Sequence, residues 1–236
     1  MRQAGRIVAT GLQRMREAVK SGIRTRLLDE VAVKELKKWD AKASFKGYHG
    51  YPASVCVSIN DEIVHGIPGD RILEEGDIVS IDFGAIYRGF HGDAAITLGV
   101  GKISGKAEEL LKVTEASLYQ GFDAAKDGGH LGDISFAVQS YIEARGFGVV
   151  REYSGHGVGR QLHEDPLVPN FGVRGTGMIL KKGMTIAIEP MVTAGDWKTR
   201  INHNRWTIHT MDGSLAAHFE HTIAIRDDRT EVLTIL

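Results

Sequence analysis

Two aspartates lie eleven positions apart inside one apolar, alternating run, IDFGAIYRGFHGDAA from Ile81 to Ala95, and this run limits the possible folds more than any other stretch of the chain. Ile81, Phe83, Ala85 and Tyr87 alternate with Asp82, Gly84 and Ile86, which is the period of a strand, and a second strand-like segment follows from Phe90 to Leu98. A two-residue turn at Arg88-Gly89 closes the pair into a hairpin in which Tyr87 faces Phe90 and Gly84 faces Asp93. Asp82 and Asp93 then become diagonal neighbours on one face, with backbones roughly 7 to 8 Å apart. Two like charges on a half-buried sheet face are costly unless a proton or a cation sits between them, and a cation with oxygen ligands answers that cost directly.

The rest of the chain builds a frame around this hairpin. Ile7, Val8, Leu12, Met15 and Val19 recur at helical spacing from Met1 to about Lys20, and Ser21-Gly22 ends that helix. Thr25 starts a second helix that runs to about Trp39. Phe45 to Asp70 is rich in glycine, histidine and aromatics, with one strand at Ser54 to Ile59. Two further helices are expected at Ser104 to Ala125 and Leu131 to Gly146. Strands are then expected at Val149 to Tyr153, Met184 to Val192, Trp206 to Thr210, Phe219 to Ile225 and Val232 to Leu236. A helix pair with strands, occurring twice and uninterrupted by a linker, predicts a duplicated unit packed as a single domain, 1–236, of the α+β class with mainly antiparallel strands.

Composition excludes several classes. A formal net charge of -1 over 236 residues removes the electrostatic footprint of a dedicated nucleic-acid binder. The single cysteine, Cys56, rules out an internal disulfide framework and fits a reducing compartment. No run approaches the ~18 apolar residues of a membrane helix, and the N-terminus has no signal-peptide core. The expected location is the cytoplasm.

Three further clusters put polar groups where a plain core would not. His156 sits between glycines in YSGHGVGRQLHEDP, with His163 seven residues on; Glu189 interrupts the apolar MTIAIEPMV; Glu220 opens the strand-like HFEHTIAI. Taken singly, each has an ordinary structural explanation: turn chemistry for the aspartates, a hydrogen-bonded loop role for His156, a strand edge for Glu189 before Pro190, solvent for Glu220. Taken together, four carboxylates and one imidazole suit two divalent ions, with Mn(II) or Fe(II) favoured by the oxygens and Co(II) or Zn(II) admitted by the histidine. Such a pair can hold one water, lower its pKa and polarise a carbonyl, which is metal-assisted amide hydrolysis.

GYHGYPASVCVSINDEIVHGIP, IDFGAIYRGFHGD, SGHGVGRQLHEDP, IAIEPMV and HFEHT, in this order, resemble the motif series of the type I methionine aminopeptidases, and the resemblance spans nearly the whole chain. It implies the pita-bread fold: two pseudo-symmetric halves with helix pairs outside a mainly antiparallel sheet. It also implies two divalent ions (Co, Mn, Fe, Zn or Ni) held by Asp82, Asp93, His156, Glu189 and Glu220, with Asp93 and Glu220 touching both and a bridging water as the nucleophile. Glu189 would shuttle the proton, His163 steady the tetrahedral intermediate, and His65 contact the scissile amide. Tyr48, Tyr51, Cys56, His65 and Trp206 carry over as the methionine pocket, with Phe45 and Leu162 at variable positions; such apolar and aromatic walls suit a thioether. The implied substrates are N-termini of nascent polypeptides with a small second residue. The ribosome is an implied partner, and a monomer the implied state. Only 31 positions separate Glu189 from Glu220, which leaves no room for the type II insertion, so the bacterial short form matches best.

Arg88 departs from the family's usual aspartate in the hairpin turn, the segment Trp197 to Arg205 departs from its glycine-rich approach to Trp206, and Met1-Arg-Gln-Ala-Gly resembles an internal stretch of the family's first helix. Two rival readings remain: a prolidase or aminopeptidase P, whose large N-terminal domain is missing here, and a metal-free binding module, which would be expected to have lost ligands. Asn170, His49, His91, His203, His209, His218 and His221 receive no role from the sequence.

Overall fold

The structure, a computed structural model, describes residues 1–227 and 229–236. Four helices occur among them: α1 (Arg2–Ala18), α2 (Arg26–Lys38), α3 (Gly105–Ala124) and α4 (Leu131–Glu143), each within a few residues of the periodicity that predicts it. Ser104 caps α3 by accepting from the Ala107 N–H. Thr25 does not cap α2; its hydroxyl accepts from Gly69 N–H at 2.8 Å, so the residue anchors a loop to the helix start.

The strands Ile78–Tyr87 and Phe90–Gly99 form the expected hairpin in the expected register, Gly84 opposite Asp93 and Tyr87 opposite Phe90. Arg88 and Gly89 both have positive φ, 50° and 78°, as a two-residue primed turn needs, so arginine is accommodated there. The hairpin is the centre of a nine-stranded antiparallel sheet. From it the order runs through Glu220–Ile225, Thr185–Ile188 and Ser154–Gly157 to Glu164–Pro169, while Lys42–Ala43 and Cys56–Ile59 pair with its first strand. The halves of the chain therefore meet where Phe90–Gly99 pairs with Glu220–Ile225. α1 packs on the hairpin, and α3 and α4 pack on each other. At Gly11 on α1 a methyl group would overlap the Phe83 ring, so the helix needs glycine to lie this close to the sheet.

Several expected strands differ. Val149 to Tyr153 is split: Gly148–Val149 joins a small sheet with Met191–Thr193 and Ala216–His218, and Ser154–Gly157 joins the main one. Met184 to Val192 breaks after Ile188, because Pro190 has no N–H to continue the ladder. The first expected strand shortens to Cys56–Ile59, and Trp206 to Thr210 to Ile208–Thr210. The last strand is Thr230–Val232, not Val232 to Leu236; Leu233 N–H still reaches Thr222 O, but Leu236 is exposed. Glu62–Val64, Thr199–Ile201 and Glu164–Pro169 lack an apolar alternation and are made by their partners' ladders. The unusual segment Trp197 to Arg205 belongs to the hairpin of Thr199–Ile201 with Ile208–Thr210, where Asn204 Oδ1 accepts from the N–H groups of Trp206 and Thr207.

Candidate metal centre

Strand register brings the acidic residues together. Cys56 lies opposite Asp82, Asp82 opposite Ala95, and Ala95 opposite Glu220, so one row across four strands carries two carboxylates separated by an alanine. Asp93, two residues from Ala95, shares that face. His221 pairs with Ile188, which leaves Glu189 beside Glu220 just past the end of its strand. Gly157 pairs with Ile186 and delivers His156 from the next strand.

Ligand atoms of Asp93, His156 and Glu220 all lie within 4.8 Å of one another, as do those of Glu189, His218 and Glu220. His156 Nε2 is 3.5 Å from Glu189 Oε1 and 4.0 Å from Asp93 Oδ2. Asp93 and Glu220 are 3% and 2% exposed, yet Asp82 Oδ1, Asp93 Oδ1 and Glu220 Oε1 have no hydrogen-bond partner. Unpaired buried carboxylate oxygens are expensive, so this donor set fits a bound divalent cation: oxygen-rich, with one imidazole. Burial raises every one of these carboxyls. Asp82 moves to about 7 and Glu189 to about 8, while Asp93 and Glu220 are pushed well above the usual range, first by burial and then by their acidic neighbours.

The supporting contacts fix the ligands. His156 Nδ1–H donates to Gly157 O at 3.0 Å, which turns the Nε2 lone pair toward the carboxylates. Burial lowers this imidazole to about 4, so it is neutral and free to ligate. Asp93 N–H donates to Thr222 Oγ1, whose hydroxyl donates back to Asp93 O, at 3.0 and 2.8 Å. Asn170 Nδ2–H donates to Glu189 O at 2.9 Å and holds the strand end at the proline break.

A cavity of about 210 Å³ opens onto these carboxylates. Its walls include Phe45, Tyr48, Tyr51, Cys56, Leu162 and Trp206. Tyr51 meets the edge of Trp206 at 5.1 Å and donates its hydroxyl hydrogen to Gly66 O at 2.8 Å. Burial pushes the Cys56 thiol up, so it is a neutral, polarisable wall atom. His65, at φ 60°, and His163 also line the cavity, and burial lowers both imidazoles, His65 to about 4. His163 Nδ1 is 2.8 Å from Tyr48 Oη, and its ring stands 4.1 Å from that of His156. Every residue singled out from the sequence thus borders one space.

Sequence reasoning assigned no role to His49, which lines the cavity, or to His218, which is 1% exposed with Nε2 3.4 Å from Glu189 Oε2. The only signal for His218 was its place two residues before Glu220; nothing in the sequence shows that it meets Glu189.

Residues 1–227 match the model of metallopeptidase family M24. The chain is similar to the methionine aminopeptidase of Clostridium acetobutylicum, 51% identical over all of this chain and 94% of that relative. It is also similar to methionine aminopeptidase 1 of Bacillus subtilis, 52% identical over 99% of this chain and 94% of that one. The crystal structure of methionine aminopeptidase from Thermotoga maritima superposes with a TM-score of 0.99 at 46% identity, covering 100% of this chain and 95% of the other.

Proposed function

The chain belongs to metallopeptidase family M24, and on that premise we propose that it hydrolyses the peptide bond after the N-terminal methionine of polypeptides, preferring a small second residue. One observation carries this reading: an apolar, aromatic cavity of side-chain size that ends on four converging carboxylates and an imidazole. The catalytic unit spans 1–236. Asp82, Asp93, His156, Glu189 and Glu220 would hold two divalent ions drawn from Co, Mn, Fe, Zn and Ni, and Asp93 and Glu220 would be the carboxylates common to both. When bound, the ions supply Lewis acidity that lowers the pKa of a water and polarises the scissile carbonyl.

The protein's own groups do the rest. Glu189 accepts the proton of the attacking water and returns it to the leaving amine. Its carboxylate opens onto the cavity, where an attacking water would lie. His163 Nδ1 is 2.8 Å from Tyr48 Oη; in the tautomer where Tyr48 O–H is the donor, the proton of neutral His163 is on Nε2 and can be donated to a developing oxyanion. His65 contacts the amide beyond. Tyr48, Tyr51, Cys56, His65 and Trp206 hold the thioether side chain, and the carboxylate end of the cavity admits a free α-amine, which makes the enzyme an exopeptidase.

The substrates are nascent polypeptides in the cytoplasm, met at the ribosome, and the protein acts as a monomer, as the resemblance to the type I methionine aminopeptidases implies; among the described residues no helix is long and apolar enough to cross a membrane. The test compares release of the first residue from Met-Ala-Ser and Xaa-Pro peptides by protein reconstituted with Mn(II) or Co(II). Methionine release that disappears in Asp93→Ala is expected. Unchanged turnover in that variant, or cleavage confined to Xaa-Pro, would refute the reading.

A further inference from the structure

The segments around Glu189 and Glu220 leave the main sheet at the same level. Thr185–Ile188 ends at Glu189-Pro190 and resumes as Met191–Thr193 in the small sheet, while Ala216–His218 in that small sheet is followed, after Phe219, by Glu220–Ile225 in the main one. Met191 pairs with His218, so the paired crossing sets the His218 ring beside Glu189. The backbone of His218 is held on both sides: its N–H donates to Thr97 Oγ1 at 2.9 Å, and the Thr97 hydroxyl donates to its C=O at 2.7 Å. Neither ring nitrogen of His218 has a hydrogen-bond partner, although the residue is 1% exposed. A buried imidazole left unsatisfied on a firmly held backbone calls for an explanation.

The two oxygens of Glu189 face different imidazoles. Oε1 lies 3.5 Å from His156 Nε2, which is itself 4.0 Å from Asp93 Oδ2, and Oε2 lies 3.4 Å from His218 Nε2. Glu189 lines the cavity and His218 does not, so a cation or substrate entering from the cavity meets the carboxylate with the imidazole behind it. A glutamate carboxylate otherwise rotates through a broad, two-fold torsion, which leaves open which oxygen faces the ligands.

We propose that His218 is a positioning residue for Glu189: its ring, with Nε2 3.4 Å from Oε2, backs that oxygen, limits rotation of the carboxylate plane, and leaves Oε1 directed at the ion site. The proposal rests on the function given above for Glu189. It assigns His218 no contact with substrate and no ligation of its own.

Three variants separate the possibilities. Glutamine places an amide N–H near the position of Nε2, asparagine reaches only as far as Nδ1, and leucine removes both. His218→Leu and His218→Asn are expected to lower kcat for Met-Ala-Ser by about 10- to 100-fold with KM little changed, and His218→Gln to restore most of it. All three should bind as many equivalents of Co(II) as the wild type, with the visible Co(II) absorption altered in Leu and Asn and near wild type in Gln. Equal loss in Gln and Leu, or no loss in Leu, overturns the proposal. Loss of one equivalent of Co(II) in Leu also overturns it, because His218 would then hold an ion directly. If the leucine variant does not fold, as judged by thermal unfolding in chelator, the Gln and Asn pair carries the same comparison. Should the wild type fail to release methionine, the functional reading falls, while the Co(II) spectra, which need no turnover, still decide whether His218 sets Glu189.

Discussion

Asp93→Asn should stabilise the metal-free protein while weakening its response to cations. Asp93 is 3% exposed, its Oδ1 is unpaired, and its ligand atom lies within 4.8 Å of that of Glu220. Two unit charges at that separation repel by about 3 kcal/mol at an effective dielectric constant near 20. The cluster relieves part of this by taking up protons, so the asparagine variant recovers ~1–3 kcal/mol at pH 8, which is on the order of 5 °C in melting temperature for a chain of this size. The main-chain bonds of Asp93 to Thr222 survive the change. Mn(II) at about 100 times its Kd adds ~2.7 kcal/mol to the wild type by mass action. The variant, lacking one of the proposed shared carboxylates, should gain less than half of that. The assay is thermal unfolding at pH 8 in chelator and in Mn(II), followed by circular dichroism. An Asp93→Asn protein that melts below the wild type in chelator, or that gains as much from Mn(II), would refute the electrostatic account of the site.

The same groups set the pH response of the metal-free fold. Asp82 and Glu189 are raised to about 7 and 8, so the folded state holds protons that the unfolded chain has released, and their stabilisation is lost as pH rises from about 4 to 8. His65, His156 and His221, lowered to about 4, act oppositely but only below pH 6.5. Melting temperature in chelator should therefore fall between pH 6.5 and 8 and level off in saturating Mn(II); a flat or rising curve in chelator contradicts the shifts. Gly11→Ala should lower stability by about 1–3 kcal/mol, because overlap with the buried Phe83 ring outweighs the ~1 kcal/mol that alanine gains in a helix. Urea unfolding measures this, and an unchanged midpoint would mean that α1 shifts freely on the hairpin.

Much of this protein was legible in one dimension. The alternation from Ile81 to Ala95 and the Arg88-Gly89 turn determined the hairpin register, because a one-residue slip would have reversed every side chain. Helical periodicity placed α1 to α4, and carboxylates inside apolar runs marked Glu189 and Glu220 as anomalous. These are local signals: each depends on residues within a few positions of one another.

Tertiary structure alone decided the rest. The short strands at Glu62–Val64, Glu164–Pro169 and Thr199–Ile201 carry no period of their own and exist because a neighbouring ladder satisfies their backbone. Ala95 is an ordinary small residue until register sets it between Asp82 and Glu220 and so aligns the two carboxylates in one row across the sheet. The crossing at Pro190 and Phe219, which brings His218 against Glu189, joins residues 29 positions apart through a pairing that no local pattern encodes. Local sequence sets which face a side chain takes; only the closed sheet sets what that face meets.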